Sequence, residues 1–114
     1  MKIAVIGSRK LPEFDLGPYL PAGTTQIISG GAKGVDSIAA AYAQNHGIPL
    51  VEYRPDYHRY GRAAPLVRNR QIVDSCDMVL AFWDGVSRGT AYTVRYAKQK
   101  GVPCKLYRYR NGME

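Results

Sequence analysis

The chain has 114 residues, and 46% of them are hydrophobic, which is enough for one domain with its own core. Its formal net charge of +7 favours anionic partners such as nucleotides, nucleic acids or acidic proteins. No apolar run reaches membrane-spanning length, and the first apolar stretch is too short for a signal peptide. We therefore expect a single cytoplasmic domain over residues 1–114 that does not enter a membrane.

Apolar runs alternate with segments of helical spacing along the chain. The runs typical of strands are 2–6, 24–28, 49–53, 77–82 and 105–109. The segments typical of helices are 35–46, 65–75 and 90–100, with a short helical piece between 12 and 20. Asp36 or Ser37 can cap the first long helix, and Gly47 can end it. This alternation predicts an α/β fold, a single Rossmann-like three-layer domain with a mainly parallel five-stranded sheet.

Residues 54–64 form the longest irregular segment of this prediction, and residues 112–114 are expected to be frayed. Aromatic and cationic side chains are interleaved around the start of the 54–64 segment, namely Tyr53, Arg54, Tyr57, His58, Arg59 and Tyr60. Rings that stack on bases beside cations that pair with phosphates are typical of single-stranded nucleic-acid binding. A lid, or a subunit contact whose tyrosines pack on the sheet, is the alternative. The nine tyrosines favour contacts between copies of the chain, so we also expect a homo-oligomer.

Residues 29–36, Ser-Gly-Gly-Ala-Lys-Gly-Val-Asp, join a predicted strand to a predicted helix. Glycines let the backbone approach a ligand closely, and the amides that open a helix attract anions. The loop is either a cradle for a phosphate or carboxylate or a tight turn that needs glycine for geometry alone. Residues 7–9 and 83–90 also follow strands and also carry a hydroxyl and a cation. Because ligands of doubly wound sheets bind beyond the carboxyl ends of the strands, the three turns together predict a pocket for an anionic ligand.

Several common sites are not indicated by the sequence. No dinucleotide-binding G-x-G-x-x-G follows the first strand, and no P-loop or nucleophile elbow occurs. Cys76 and Cys104 have no histidine at a ligand-like spacing, so we predict buried thiols and no metal site. No cofactor is predicted. His46 is expected at a helix end, where an interaction with the helix dipole is favoured over catalysis.

Four segments, taken in order, resemble the SLOG superfamily, which unites the Rossmann-like domain of DprA/Smf, the Lonely Guy phosphoribohydrolases and the small YspA/YpsA-related proteins. The segments are Val5-Ile6-Gly7-Ser8-Arg9, residues 29–36, Arg68-Asn69-Arg70 with Ile72-Val73, and Gly89-Thr90. The short, single-domain YspA/YpsA-related proteins are the most similar. The resemblance implies a nucleotide or a nucleotide-derived small molecule, held at the carboxyl ends of the strands.

The resemblance also implies which residues bind the ligand. The candidates are Gly7, Ser8, Arg9, Ser29, Gly30, Gly31, Lys33, Gly34, Asp36, Arg68, Asn69, Arg70, Asp84, Gly85, Ser87, Gly89 and Thr90. The glycines of the 29–36 loop would bring amides to a phosphate, and Arg68 and Arg70 would donate to phosphate oxygens. Asp36 would either cap its helix or contact a ribose.

One departure from the family affects the expected chemistry. Lonely Guy enzymes carry a P-G-G-x-G-T-x-x-E motif whose glutamate takes part in cleaving the N-glycosidic bond, and Thr93 stands in its place here. A threonine is not a carboxylate base, which leaves Asp84 as the candidate acid of that loop. The function predicted is binding or sensing of a nucleotide-derived ligand without efficient catalysis. The alternatives are a nucleotide hydrolase and a single-stranded nucleic-acid-binding module related to DprA.

Overall fold

The structure is a computed structural model that describes residues 1–108. Its strands are β1 (Lys2–Gly7), β2 (Gln26–Ser29), β3 (Leu50–Glu52), β4 (Met78–Trp83) and β5 (Cys104–Arg108). The helices of these residues are α1 (Val35–Asn45), α2 (Tyr57–Tyr60), α3 (Ala64–Asp74) and α4 (Arg88–Gln99), with 3₁₀ turns at Gly17–Tyr19 and Gly61–Ala63. The predicted last strand residue, 109, and the predicted frayed end, 112–114, lie outside the described range.

All neighbouring strands pair in parallel, in the order β3-β2-β1-β4-β5. The chain begins in the centre with β1, builds outward through β2 and β3, and then crosses over to β4 and β5. The order therefore reverses between β1 and β4, whose pairing ends with Gly7 opposite Phe82. In such sheets a crevice opens beyond the carboxyl ends of the strands at this switch point. The predicted α/β fold with a parallel five-stranded sheet is confirmed.

The two faces of the sheet carry separate apolar cores. In β1, Ile3 and Val5 pack toward α1, whereas Ala4 and Ile6 pack toward α3 and α4. Both faces are covered, and for this reason the central strands are continuous apolar runs in the sequence. Among residues 1–108, no helix has the length and apolar character needed to cross a bilayer.

The segment predicted to be irregular, residues 54–64, is partly helical, so that prediction was wrong. The Asp56 carboxylate accepts a hydrogen bond from the Arg59 amide at 3.1 Å and caps α2. Gly61, with φ of 56°, ends α2 and leads into a 3₁₀ turn that continues into α3. A four-residue helix is too short to produce a periodic apolar pattern, and only the Asp56 cap could have indicated it.

A glycine with a positive φ flanks each end of α1. Gly34 has φ of 73°, and a Cβ built there would lie 2.6 Å from the carbonyl oxygen of Arg9. Gly47, beyond the other end, has φ of 64°, and nothing lies within 4 Å of its Cβ position. Gly34 is thus required both by its dihedral angle and by a close backbone contact, whereas Gly47 is favoured by its dihedral angle alone.

We expect Gly34→Ala to lower the free energy of unfolding by about 2–4 kcal/mol, since overlap with backbone atoms adds to left-handed strain. Gly47→Ala keeps the strain without the overlap and is expected to cost about 1 kcal/mol. Urea unfolding of the two variants gives both values. Equal losses would mean that the Arg9 backbone moves aside at little cost.

Candidate functional site

A cavity of about 410 Å³ opens at the carboxyl ends of β1, β2 and β4, and we call it the strand-end cavity. Its volume is within the range of small-molecule binding sites. Ten of the residues that line it are among those predicted from the sequence. They are Gly7, Arg9, Gly30, Asp36, Arg68, Asn69, Asp84, Ser87, Gly89 and Thr90.

Seven other lining residues were not predicted: Ile6, Lys10, Ala32, Pro65, Ile72, Val86 and Thr93. Lys10 could have been found, because it extends the basic turn that begins at Arg9. Val86, 79% exposed, projects from the turn after β4, and no sequence pattern distinguishes it from an ordinary loop residue. Ile6 and Ile72 belong to the core and also line the cavity.

Seven predicted residues do not line the strand-end cavity: Ser8, Ser29, Gly31, Lys33, Gly34, Arg70 and Gly85. The two serines are almost fully buried and bind the backbone, since Ser8 Oγ accepts from the Asp84 amide at 3.1 Å and Ser29 Oγ from the Gly31 amide at 3.5 Å. Gly34 instead borders a second groove of about 480 Å³ between α1 and the segment that follows β1. The two serines thus shape the loops rather than the cavity surface.

Arg68 and Arg70 have different surroundings although both belong to α3. Arg68 is 7% exposed, and its Nη1 donates to the carbonyl oxygens of Gly30 at 2.8 Å and Tyr53 at 3.4 Å. Arg70 Nη1 donates to the Tyr92 hydroxyl on α4 at 3.0 Å. Positions two residues apart are separated by about 200° around a helix, so the two guanidinium groups cannot face one ligand. The prediction that both pair with phosphate is therefore corrected for Arg70, which lies outside the cavity.

Arg68 also orients its neighbour, Asn69. Arg68 Nε donates to Asn69 Oδ1 at 2.9 Å, which leaves the Asn69 Nδ2 group directed toward the start of α4. A Cβ at Gly89 would lie 3.9 Å from this Nδ2 atom, and no other atom outside the neighbouring residues and the backbone of α4 lies within 4 Å of that position. The amide donor of Asn69 and the open backbone of Gly89 are thus side by side in the cavity wall.

Asp36 is the buried carboxylate of the strand-end cavity. It is 8% exposed, and its Oδ2 accepts from the Ala32 amide at 3.0 Å. Burial raises its pKa, while the Ala32 amide and the charge of Arg68 oppose this effect. α1 begins at Val35 with Gly34 as its N-cap, so the predicted capping by Asp36 or Ser37 is wrong. Both side chains instead bind Ala32, with Ser37 Oγ donating to its carbonyl oxygen at 3.2 Å.

Asp84 holds the turn between β4 and α4. Its Oδ1 accepts from the amides of Val86 at 2.9 Å and Ser87 at 2.8 Å. These hydrogen bonds lower its pKa, the bond from Val86 most of all. Ser87 is the N-cap of α4 and accepts from the Thr90 amide at 3.4 Å. The turn is thereby fixed, with Ser87, Gly89 and Thr90 at the start of α4 lining the cavity.

The cavity wall combines cations, carboxylates and helix N-termini. The charged side chains among its lining residues are Arg9, Lys10, Arg68, Asp36 and Asp84. α1 and α4 both begin at this edge of the sheet, and their N-termini add partial positive charge. In residues 1–108 no group of three or more histidine, cysteine, aspartate or glutamate side chains could hold a metal ion. The chemistry that this wall favours is the binding of an anion.

Replacing Arg68 tests its structural role. Arg68→Ala should lower the free energy of unfolding by about 3 kcal/mol, because the Gly30 carbonyl and the Asp36 carboxylate lose a buried partner. Arg70→Ala, two residues away on the same helix, should leave the unfolding midpoint almost unchanged. Urea unfolding of the pair checks this, and a similar loss in both variants would contradict the difference between the two positions.

The raised pKa of Asp36 predicts a pH dependence of stability. The folded protein holds this proton more tightly than the unfolded chain, whose pKa is near 3.8. Stability due to Asp36 is therefore greatest below 3.8 and falls as the pH rises through the raised pKa. Asp36→Asn has no carboxyl group at this position and does not lose stability in this way. The free energy of unfolding of the variant, relative to that of the natural protein, should therefore increase between pH 3.8 and the raised pKa of Asp36 and then level off. Urea unfolding of both proteins between about pH 3 and pH 7 measures the difference, and a constant difference would refute the effect.

Three comparisons with known proteins bear on this fold and site. The family model described as "YspA, cpYpsA-related SLOG family" matches residues 20–60, which include the whole glycine loop. The Gene 61 protein of Mycobacterium phage D29 is 32% identical over 83 residues, which cover 68% of this chain and 66% of the phage protein.

Among solved structures, DNA processing protein A from Helicobacter pylori superposes with a TM-score of 0.71 at 21% identity. The match covers 96% of this chain and 66% of that one, so this chain spans about two thirds of the length of both relatives. The fold is thus shared with a DprA protein. The match of the family model over residues 20–60 confirms the resemblance that the order of the four motifs predicts, which is to the YspA, cpYpsA-related SLOG family.

Proposed function

We propose that this protein binds a nucleotide or a nucleotide-derived small molecule in the strand-end cavity, without efficient catalysis. The observation that carries the proposal is the convergence of three strand-end turns on one cavity of about 410 Å³ at the switch point between β1 and β4. Ligands of open parallel sheets bind at this position.

The start of α4 is the part of the wall best suited to a phosphate. α4 has 12 residues, enough for an N-terminal dipole to act on an anion. The backbone of Gly89 is open to the cavity, and Asn69 Nδ2 is directed to the same place. Arg9 and Lys10 are exposed cations on the adjacent turn and can close over the outer oxygens of the phosphate.

The acids of the cavity support binding rather than hydrolysis. Asp84 already accepts two backbone amides, and its lowered pKa makes it a weaker base. Thr93, in the place of the Lonely Guy glutamate, donates its hydroxyl to the Gly89 carbonyl oxygen at 2.8 Å. Hydrolysis of a nucleotide would have to begin from Asp36, whose carboxylate is occupied by the Ala32 amide.

Single-stranded nucleic acid is the second candidate ligand. The solved DprA protein is described by its single-stranded DNA binding mode. In this chain the exposed side chains of Arg54, Tyr57 and Arg59 follow β3 on the same edge of the sheet as the cavity. Binding through them would weaken steeply as salt is added, because each phosphate contact releases a counterion. A homo-oligomer, expected from the tyrosine content, stays a prediction.

Arg9→Ala tests the small-molecule proposal directly. The side chain lines the cavity, so its loss should weaken binding of AMP or ADP-ribose about tenfold or more. Arg70→Ala removes the same charge outside the cavity and should bind as the natural protein does. Binding can be followed by the fluorescence of Trp83, the single tryptophan, whose indole donates to the Ser87 carbonyl oxygen at 2.9 Å beside the cavity.

A thermal-shift panel supplies the first ligand. A compound at 100 times its dissociation constant adds about 2.7 kcal/mol of stability, which a domain of this size registers as a shift of several degrees. The panel contains AMP, ADP-ribose, NAD, cyclic nucleotides and a short single-stranded oligonucleotide. A shift by the oligonucleotide alone, abolished by high salt, would replace the small-molecule proposal with the second candidate. Equal losses of nucleotide affinity in Arg9→Ala and Arg70→Ala would move the ligand away from the strand-end cavity.

A further inference from the structure

Tyr57, the first residue of α2, is an aromatic side chain without a ring partner in the structure of residues 1–108. It is 59% exposed, and it is the one aromatic among the strongly exposed large apolar residues of that range. The other tyrosine of α2 differs, because the guanidinium of Arg59 lies over the Tyr60 ring at 5.3 Å.

The segment that carries Tyr57 is fastened to the glycine loop and to Arg68, which lines the strand-end cavity. Arg54 Nη1 donates to the Gly31 carbonyl oxygen at 3.1 Å, and its Nη2 forms an ion pair with Glu52 at 3.1 Å. Arg68 Nη1 holds the Tyr53 carbonyl oxygen at 3.4 Å. The segment then turns at Gly61 into α3, whose Pro65 lines the cavity. α2 therefore lies between two parts of the cavity wall, the glycine loop and the start of α3.

The electrostatics of Arg68 agree with this placement. Burial lowers the pKa of the Arg68 guanidinium, and the Asp36 carboxylate raises it in part. Tyr57 also contributes a raising effect. Its ring is exposed to solvent, and Tyr57 is not among the residues that line the cavity itself.

We propose that Tyr57 is the base-stacking residue of the strand-end cavity, so that the ligand carries a nucleobase or a similar flat ring in addition to its phosphate. This inference rests on the proposed function. An exposed aromatic ring on a segment that is attached to Arg68 of the cavity wall offers a flat apolar surface to a base. The base would lie at the rim beside α2 while the phosphate is held at the start of α4. Because every base has a π-face, Tyr57 selects for the presence of a base more than for its identity.

The test compares AMP with ribose 5-phosphate, which has the sugar and the phosphate but no base. Tyr57→Leu should weaken AMP binding roughly five- to hundredfold, the range that loss of one base–aromatic stack produces. It should leave the affinity for ribose 5-phosphate unchanged, since the phosphate contacts are untouched. Tyr57→Phe keeps the ring and should bind AMP nearly as the natural protein does. Tyr60→Leu, in the same short helix, should have no effect on either ligand and controls for damage to α2.

The outcomes separate this inference from the function on which it rests. If AMP binds the natural protein and Tyr57→Leu equally well, Tyr57 does not stack on the base, and the binding function stands. Equal weakening of AMP and ribose 5-phosphate would likewise overturn the stacking role, because it would indicate a distorted cavity. If the natural protein binds neither compound, the small-molecule function itself fails, and the stacking role fails with it.

Discussion

The buried guanidinium of Arg68 is the interaction on which the candidate site depends. One side chain from α3 binds the Gly30 carbonyl after β2, the Tyr53 carbonyl after β3 and the side chain of Asn69. Arginine suits this position because its planar group presents several fixed donors at once, and its charge persists when it is buried. Without it, the Gly30 and Tyr53 carbonyl groups would lose a hydrogen bond, and the buried Asp36 carboxylate would lose a neighbouring positive charge.

Arg68 also explains why the loop after β2 contains glycine. A Cβ at Gly30 would lie 2.9 Å from both Arg68 Cζ and Asp36 Oδ2, so the two buried groups occupy the space that a side chain would need. At Gly31, whose φ is 70°, the Arg54 guanidinium is 3.0 Å from the Cβ position, and at Gly34 the Arg9 backbone is closer still. Contacts within the protein thus account for all three glycines. The phosphate-binding capacity of the wall then depends on the start of α4 and on the exposed cations more than on the glycine loop.

The fold could be predicted from the sequence because the central strands β1, β2 and β4 are short apolar runs followed by turns rich in glycine and serine, and these patterns are local. The cavity could be placed for the same reason, since the carboxyl ends of parallel strands share one edge. The sequence was less informative about which side chains face the cavity. Arg68 and Arg70 are alike in sequence, and only the start of α3 at Ala64 determines which of them is buried. α2 was missed because four residues are too few for a periodic pattern.

The candidate site has a rigid floor and an exposed rim. The floor is fixed before any ligand arrives, by Arg68, by the Asp36 bond to Ala32 and by the Ser8 and Asp84 bonds around the β4 turn. Binding there loses little conformational entropy, whereas Arg9 and Lys10 must be ordered when they pair with a phosphate. A tyrosine at the rim has fewer rotatable bonds to order and contributes apolar contact area. The base is therefore expected to supply more of the affinity than the cations of the rim, although the cations increase the rate of encounter with an anionic ligand.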